Sequence, residues 1–466
     1  MSPPRANSSA ARDIANVLHP YTDLQAHLET GPMVITRGKG VRVWDDTGKD
    51  YIESVAGLWC ASLGFDNERL ARAAYDQLRK LPFYHSFTAK SHEPMIDLAE
   101  MLVARAPVPM SKVFFGNSGS EANDSAVKMV WYFNNAVGRP EKKKIIGRIK
   151  GYHGITIASG SLTGLPANHR SFDLPLPGFV HTMTPHHYHG AEAGESEEAF
   201  ASRCADELEK LILAEGPDTV AAMWAEPILG AGGVIVPPRT YYEKIQAVCR
   251  KYDVLFVADE VICGFGRTGT YWGCQSLNIT PDILTCAKAL SSSYLPISAV
   301  MVNERVFAGL ADESHKIGTF GHGFTYSGHP VPAVVAIETL KIYDEMDIVS
   351  HAREVGAHMQ EGMRRRFAGH ELVGEVRGMG LIGAVELVED RAAHRNFDPA
   401  AKIGARLAKL CETNGVIART LAGDTLAFSP PLIITAAEID EMLDRVGHAL
   451  DELTVQLRRE QISPVS

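Results

Sequence analysis

The chain has little that would tie it to a membrane, to nucleic acid or to the extracellular space. Its seven cysteines (Cys60, Cys204, Cys249, Cys263, Cys274, Cys286 and Cys411) are odd in number and scattered, without any CxxC spacing. In so long a chain that pattern reads as free thiols in a reducing compartment, the cytoplasm, and argues against a disulfide framework or a thiolate zinc site. No apolar run approaches the roughly 18 residues that span a bilayer. Basic charge is short: 46 Lys and Arg stand against 56 Asp and Glu, a formal net charge of -10. Nucleic acid and anionic membranes, which attract basic surfaces, are therefore poor candidate partners. The basic run Glu141-Lys-Lys-Lys144 reads as a solvated turn. His186, His187 and His189 lack a nearby carboxylate or cysteine pattern, so a polar loop is expected there and no metal site. The opening Met1-Ser-Pro-Pro-Arg-Ala has no apolar signal core. Arg5 and Arg12 with few acids resemble an organellar leader, but Pro3, Pro4 and the short length read as a disordered tail. There is no internal repeat.

What is present is ordinary globular composition, 45% hydrophobic and 22% charged, in a chain long enough for two or three domains. Strand-like runs at Lys112-Phe115, Lys144-Ile149, Val220-Trp224, Val254-Val257, Ile283-Thr285 and Ile297-Val302 alternate with helical patterns such as Ser120-Ala136, Phe200-Leu213 and Tyr241-Tyr252. That alternation predicts an α/β domain with a mostly parallel, buried sheet. After Gly328-His-Pro330 the pattern changes. Helices are expected near Val334-Tyr343, Ala352-Phe367, Ala400-Asn414 and Ala436-Leu457, the last capped by Thr435, with strands at Leu372-Val376 and Leu381-Val388. Near the start, Val34-Val43 and Asp50-Ser54 read as a strand pair around the turn Asp45-Asp-Thr-Gly48. The predicted division is residues 1–75 as an N-terminal contribution to a smaller domain, 76–330 as the large α/β domain, and 331–466 as the smaller α+β domain.

Two apolar runs end in chemistry. Val254-Leu-Phe-Val-Ala-Asp259 delivers a carboxylate, and Ile283-Leu-Thr-Cys-Ala-Lys288 delivers an amine. A lysine at the end of a buried strand loses solvation and part of its proton affinity, as imine formation requires. A fixed carboxylate can keep a pyridine nitrogen protonated, and together the two are the skeleton of a pyridoxal phosphate (PLP) site. Taken singly, each has a bland alternative: a surface lysine after a strand, or an Asp capping a turn. Glu260 must face away from Asp259, while Val261 shares its side. Gly116-Asn-Ser118-Gly119-Ser120-Glu121 turns from a strand into a helix and offers backbone donors to a phosphate, although an ordinary capped turn would look the same. Tyr152, in Gly151-Tyr-His-Gly154, can stack on a planar ring or simply pack in a turn. Gly264-Phe-Gly266-Arg-Thr-Gly269 matches GxGxxG, but no amphipathic helix follows it and no acid stands downstream, so a nicotinamide-dependent dehydrogenase is disfavoured.

Together these motifs resemble the class III, fold type I, PLP-dependent aminotransferases, from about His19 to the last helix. The most specific stretches are Asp259-Gly269, Gly323-Phe-Thr-Tyr-Ser-Gly-His-Pro330 and Ala225-Glu-Pro-Ile-Leu-Gly-Ala-Gly-Gly233. Ala56-Gly-Leu-Trp-Cys60, Leu81-Pro-Phe-Tyr-His85 and the Arg419 segment look most like the ω-amino acid:pyruvate (amine) transaminases. The resemblance implies pyridoxal 5'-phosphate held as an aldimine by Lys288, with Asp259 on the pyridinium. It places Ser118, Gly119 and Ser120 on the phosphate with Thr325 from a second subunit. Tyr152, His153 and Val261 would lie around the ring, and Glu226 near its O3' side. Leu58, Trp59, Phe87, Tyr152 and Ala231 would shape the substrate pockets, and Arg419 would grip the acceptor's carboxylate. It further implies a homodimer with shared active sites, or a tetramer built from it. The reaction would pass an amino group through pyridoxamine phosphate from a primary amine or ω-amino acid to a keto acid, pyruvate being the expected acceptor. Alternatives are an ornithine, 4-aminobutyrate, diaminopelargonate or taurine aminotransferase using 2-oxoglutarate or another acceptor, an aminomutase, or a non-catalytic PLP carrier. Ala289 stands where the resembled family commonly has a glycine after its lysine, and Ser293 where it usually has Gly or Ala.

Overall fold

In the computed structural model, which describes residues 7–462, three sheets are wrapped by helices. The central sheet has seven strands in the spatial order Lys112–Gly116, Ser298–Val302, Ile283–Cys286, Leu255–Asp259, Val220–Ala225, Lys144–Arg148, Phe179–Thr182. Every residue of Val220–Ala225 and Leu255–Asp259 is buried, as expected for parallel strands covered on both faces. The sheet is mostly parallel, with one exception. Ser298–Val302 runs antiparallel to both neighbours. The other six strands therefore end on one edge, where the register sets Asp259 beside Thr285 and Ser298 beside Gly116. Carboxyl ends of parallel strands are where open α/β sheets place their ligands.

Helix Gly119–Ala136 lies on one face. Its Ala122, Ala126, Val130 and Phe133 pack with Trp224, Val257 and Val300 of the sheet. On the other face Pro330–Glu345 is buried along most of its length, because its Val, Ala, Ile and Leu residues leave few polar positions. A second sheet pairs Ile35–Lys39, Arg42–Asp45 and Asp50–Glu53 with Val416–Ile417, joining the two ends of the chain. The third is antiparallel, in the order Val373–Met379, Ile382–Leu387, Thr425–Phe428, Arg419–Leu421. The closing helix begins at Ala436, and Thr435 and Glu438 form a reciprocal cap.

Several expectations need correction. The run Val34–Val43 is two strands, because Gly40 turns the chain at φ +56°. Lys288 does not end a strand. It opens a 3-10 turn, Lys288–Ser291, two residues beyond Cys286. Part of the supposed disordered tail is a helix, Ser9–Asn16, capped by Ser8, whereas Met1 to Ala6 lie outside the described residues. The histidine loop does have carboxylate partners: His186 meets Glu375 at 2.9 Å, and His189 contacts Glu386. Helices Glu68–Lys80, Glu93–Arg105 and Glu304–Ile317 and strand Phe179–Thr182 were not foreseen. Among the described residues no helix is long and apolar enough to cross a membrane.

Candidate active site

The buried carboxylate of Asp259 is the fixed point of the strand edge. Its Oδ2 accepts from Asn123 Nδ2 at 2.9 Å and lies 2.8 Å from His153 Nδ1, while Oδ1 accepts from the Val261 amide at 3.1 Å. Asn123 is fully used. It also donates to the His153 carbonyl and accepts from Trp224 Nε1 and Thr285 Oγ1. A buried polar side chain with every partner satisfied holds one geometry. Glu260 points the other way, as predicted, and accepts the amides of Gly273 and Cys274 at 3.0 and 2.6 Å.

Glu226 follows the neighbouring strand. Oε1 takes the Tyr152 amide and Oε2 the Gly230 amide, both at 2.9 Å. Burial pushes its pKa up, opposed by the charges of His153 and Arg148. Buried Arg148 donates to the Glu226 carbonyl and to Tyr242, locking the strand end from behind.

Lys288 carries φ +47°, and Ser292 and Ser293 follow at +49° and +58°. Left-handed backbone at residues other than glycine costs free energy and persists where the surroundings impose it. Ser293, one of the two departures, thus occupies a conformation that glycine would adopt freely. Ala289, the other, is buried, and its carbonyl accepts from Tyr343 Oη at 2.7 Å. Burial lowers the Lys288 pKa, helped by the Arg419 charge and opposed by Cys60, Asp259 and Glu226. Its Nζ lies 5.6 Å from the centre of the Trp59 ring, and the Arg419 guanidinium carbon is 4.9 Å from that same centre. Trp59 is 3% exposed, at φ +57°, with its Nε1 unpartnered. The strand edge thus joins amine, indole and guanidinium.

The turn before Gly119–Ala136 is a helix start of the kind that takes anions. Ser118 caps it by accepting the Glu121 amide at 3.2 Å, and Ser120 Oγ accepts the Ile155 amide. A side chain on Gly119 would come within 3.1 Å of Val261, so the turn and the Asp259 strand meet there. Helix start for a phosphate, carboxylate for a pyridinium, amine for an aldehyde: the donor set matches pyridoxal 5'-phosphate group by group.

Other predicted residues stand further out. Leu58 is exposed beside Trp59. Phe87 is exposed and packs near Gly323, on the same exposed segment as Thr325. Among the described residues no hydrogen bond or aromatic contact ties Phe87 or Thr325 to the Lys288 group. Ala231 sits half-buried in the turn that Glu226 holds through Gly230. Two open cavities, of about 500 and 300 Å³, include none of the Lys288 group; one is lined by His169, Arg170 and His181, the other by His370, Asp444 and His448. Sequence reading missed Tyr21, whose hydroxyl accepts from Asn168 and whose nearness, after burial, helps push the Tyr152 hydroxyl pKa up. It also missed Asn123, four residues into the helix from Gly119 and so on its strand-facing side; a lone polar residue at that spacing was the available signal.

The family model for class III aminotransferases matches residues 25–450. The chain is 50% identical over 450 residues to a γ-aminobutyrate transaminase 1, mitochondrial, of Oryza sativa subsp. indica, covering 96% of this chain and 87% of the relative. It is likewise 50% identical over 438 residues to a γ-aminobutyrate transaminase 3, chloroplastic, of Solanum lycopersicum, covering 94% and 84%. Among solved structures, the omega transaminase from Pseudomonas jessenii in complex with PMP superposes with a TM-score of 0.95 at 57% identity, covering 96% of this chain and 99% of that one. A thermostable omega transaminase variant, altered at a tryptophan, a phenylalanine and an arginine and engineered for asymmetric synthesis of enantiopure bulky amines, superposes equally well at 56% identity, covering 96% and 100%.

Proposed function

The chain belongs to the class III aminotransferases and is a PLP-dependent enzyme, and from that premise we propose that it moves an amino group from a primary amine or ω-amino acid to pyruvate. One observation carries the reading: the Trp59 ring lies within reach of both the Lys288 amine, 5.6 Å from its centre, and the Arg419 guanidinium carbon, 4.9 Å from it. An aromatic wall suits an apolar amine, and a planar guanidinium suits the carboxylate of a keto acid.

Bound PLP supplies an electron sink for the carbanion at the donor carbon. Lys288 Nζ, desolvated and so partly free of its proton, would take the proton from the amine-bearing carbon of the donor and, in the half-reaction with the keto acid, deliver a proton to the acceptor carbon that receives the amino group. Asp259 would keep a proton on the ring nitrogen of the bound group, and Asn123 and His153 orient its carboxylate. Ser118, Gly119 and Ser120 hold the phosphate at the helix start. Tyr152, His153 and Val261 would line the ring when it is bound, and Glu226 fixes the Tyr152 backbone. Leu58, Phe87 and Ala231 bound the substrate space. The exposed position of Thr325 supports its service to a neighbouring site in a homodimer. The joining of both chain ends in one sheet supports a smaller domain built from residues 1–75 and 331–466 around the 76–330 domain. The free thiols support a reducing, cytoplasmic setting.

The second reading, 4-aminobutyrate as donor, rests on the names of the plant relatives and on Arg419, which could hold that donor's carboxylate as readily as pyruvate's. A panel of aryl-alkyl amines and 4-aminobutyrate, each against pyruvate and 2-oxoglutarate, separates the two. Turnover confined to 4-aminobutyrate overturns the amine:pyruvate reading. Arg419→Ala is expected to raise the KM for pyruvate about tenfold or more and the KM for an aryl-alkyl amine much less, since only the acid loses a charge-assisted hydrogen bond. Equal effects on both would remove Arg419 from this role.

The desolvated amine also has a pH signature. Only neutral Nζ can attack an aldehyde, and lowering its pKa enlarges that fraction at a given pH. The rate at which cofactor-free protein captures PLP should therefore rise with pH through a midpoint below the ordinary lysine value of 10.5. Absorbance stopped-flow reads this, and a midpoint at or above that value contradicts it.

A further inference from the structure

An arginine of the third sheet reaches into the wall of the site. Arg377 lies on Val373–Met379 with its side chain only 7% exposed. Its Nε and Nη2 both donate to the Gly233 carbonyl, at 2.9 and 2.6 Å. Nη1 is held by Glu375 and Glu386, each at 2.6 Å, and these two face each other across the strand pair. Outside them stand His186 and His189. Burial alone would raise both carboxyl groups, but their histidine hydrogen bonds and the Arg377 charge outweigh it and bring Glu386 down to about 2. His186, His189 and Glu386 have metal-ligand spacing, yet one oxygen of Glu386 is taken by the His189 ring and the other by Arg377 Nη1, so the cluster reads as an arginine clamp.

Gly233 closes the turn Gly230–Val234, in which the Gly233 and Val234 amides return to the Gly230 carbonyl. Val234 holds φ +52°, a conformation a β-branched residue adopts only under constraint. The turn is gripped twice. Glu226 accepts from the Gly230 amide at one end of the turn, and Arg377 donates to the Gly233 carbonyl at the other. Between these grips lie Ala231 and Gly232, and any side chain on Gly232 would collide with the Lys150 carbonyl at 2.0 Å. Lys150 leads directly to Tyr152.

We propose that Arg377 is a positioning residue: by clamping the Gly230–Val234 turn against the Lys150–Tyr152 segment, it sets the depth of Ala231 in the substrate pocket, so that substrate size is read partly from the third sheet. This rests on the reading of Ala231 as a pocket residue. Arg377 touches no reacting atom; its effect passes through the turn.

The test uses PLP-loaded Arg377→Gln, Arg377→Lys and Ala231→Leu. For each, bound PLP, Tm, and kcat and KM are measured with pyruvate and a graded series of amines, from isopropylamine to a bulky aryl-alkyl amine. Arg377→Gln should keep its PLP, with kcat for the small amine within about twofold of the parent. The small-to-bulky ratio of kcat/KM should shift about tenfold, the scale on which apolar pockets separate substrate sizes. Arg377→Lys keeps the charge between the glutamates but cannot span them and Gly233 together, so it should shift the ratio less and in the same direction. If Arg377→Gln does not fold, the lysine variant alone decides. An unchanged ratio in folded, PLP-loaded Arg377 variants overturns the proposal. So does a uniform loss for all amines that tracks lost PLP, which marks a merely structural role. Ala231→Leu keeps the two failures apart: if it leaves the size profile unchanged, the reading of Ala231 has failed, whereas if it alters the profile and the Arg377 variants do not, the clamp has failed.

Discussion

Replacing Lys288 with alanine is expected to lower steady-state transamination by at least about a thousandfold, while Tm moves by no more than a few degrees. Proton transfer by a positioned base typically contributes about 10²- to 10⁴-fold, and here the amine proposed to bind the cofactor is removed with the base. The fold should survive. The side chain is half-buried at a strand-edge turn, and its cationic form is disfavoured by burial, so truncation leaves no large core cavity and removes a desolvated charge. Turnover of an aryl-alkyl amine with pyruvate, assayed with added PLP, is the measurement. Addition of a small primary amine should restore part of the loss, because it supplies the missing base. Near-parental turnover in Lys288→Ala would remove Lys288 from the mechanism.

Asp259→Asn should have the next largest effect, a fall in kcat of about 10- to 1,000-fold. A carboxylate against a protonated ring shifts its partner's pKa by about 1–3 units, and each unit is a factor of ten between protonation states. Asparagine keeps the volume, and its single carbonyl oxygen can still accept from either Asn123 or Val261, so most of the packing around the strand end persists with one hydrogen bond lost. What it cannot supply is the charge. The outcome is read from kcat together with bound PLP; a PLP-loaded variant within about twofold of the parent contradicts the assignment.

The proposed reacting groups were legible because each lies at or just beyond the end of a run whose burial shows in its composition. Val254 to Asp259 is apolar until its acid, and the turn at Ser118 announces a helix by its small hydroxyl residues. Partners far apart in sequence left no such trace. Asn123 and Asp259 are 136 residues apart, and Arg377 and Gly233 are 144 apart. The histidine loop looked like a polar loop for the same reason, since Glu375 and Glu386 arrive from another sheet 189 and 197 residues on. Tyr21 was hidden in a segment read for its composition alone, and its hydrogen-bond partner Asn168 lies 147 residues further on. At Gly40 an apolar pattern ran on while the backbone turned. The 3-10 turn at Lys288 and the left-handed backbone after it follow from packing that no local pattern records.

The account stands or falls on which nitrogen carries the cofactor. Borohydride reduction of the purified yellow enzyme, followed by digestion and peptide mass mapping, reads this directly. The account predicts a single phosphopyridoxyl adduct on the peptide containing Cys286-Ala-Lys288-Ala-Leu. A label on any other lysine, or none, would contradict it.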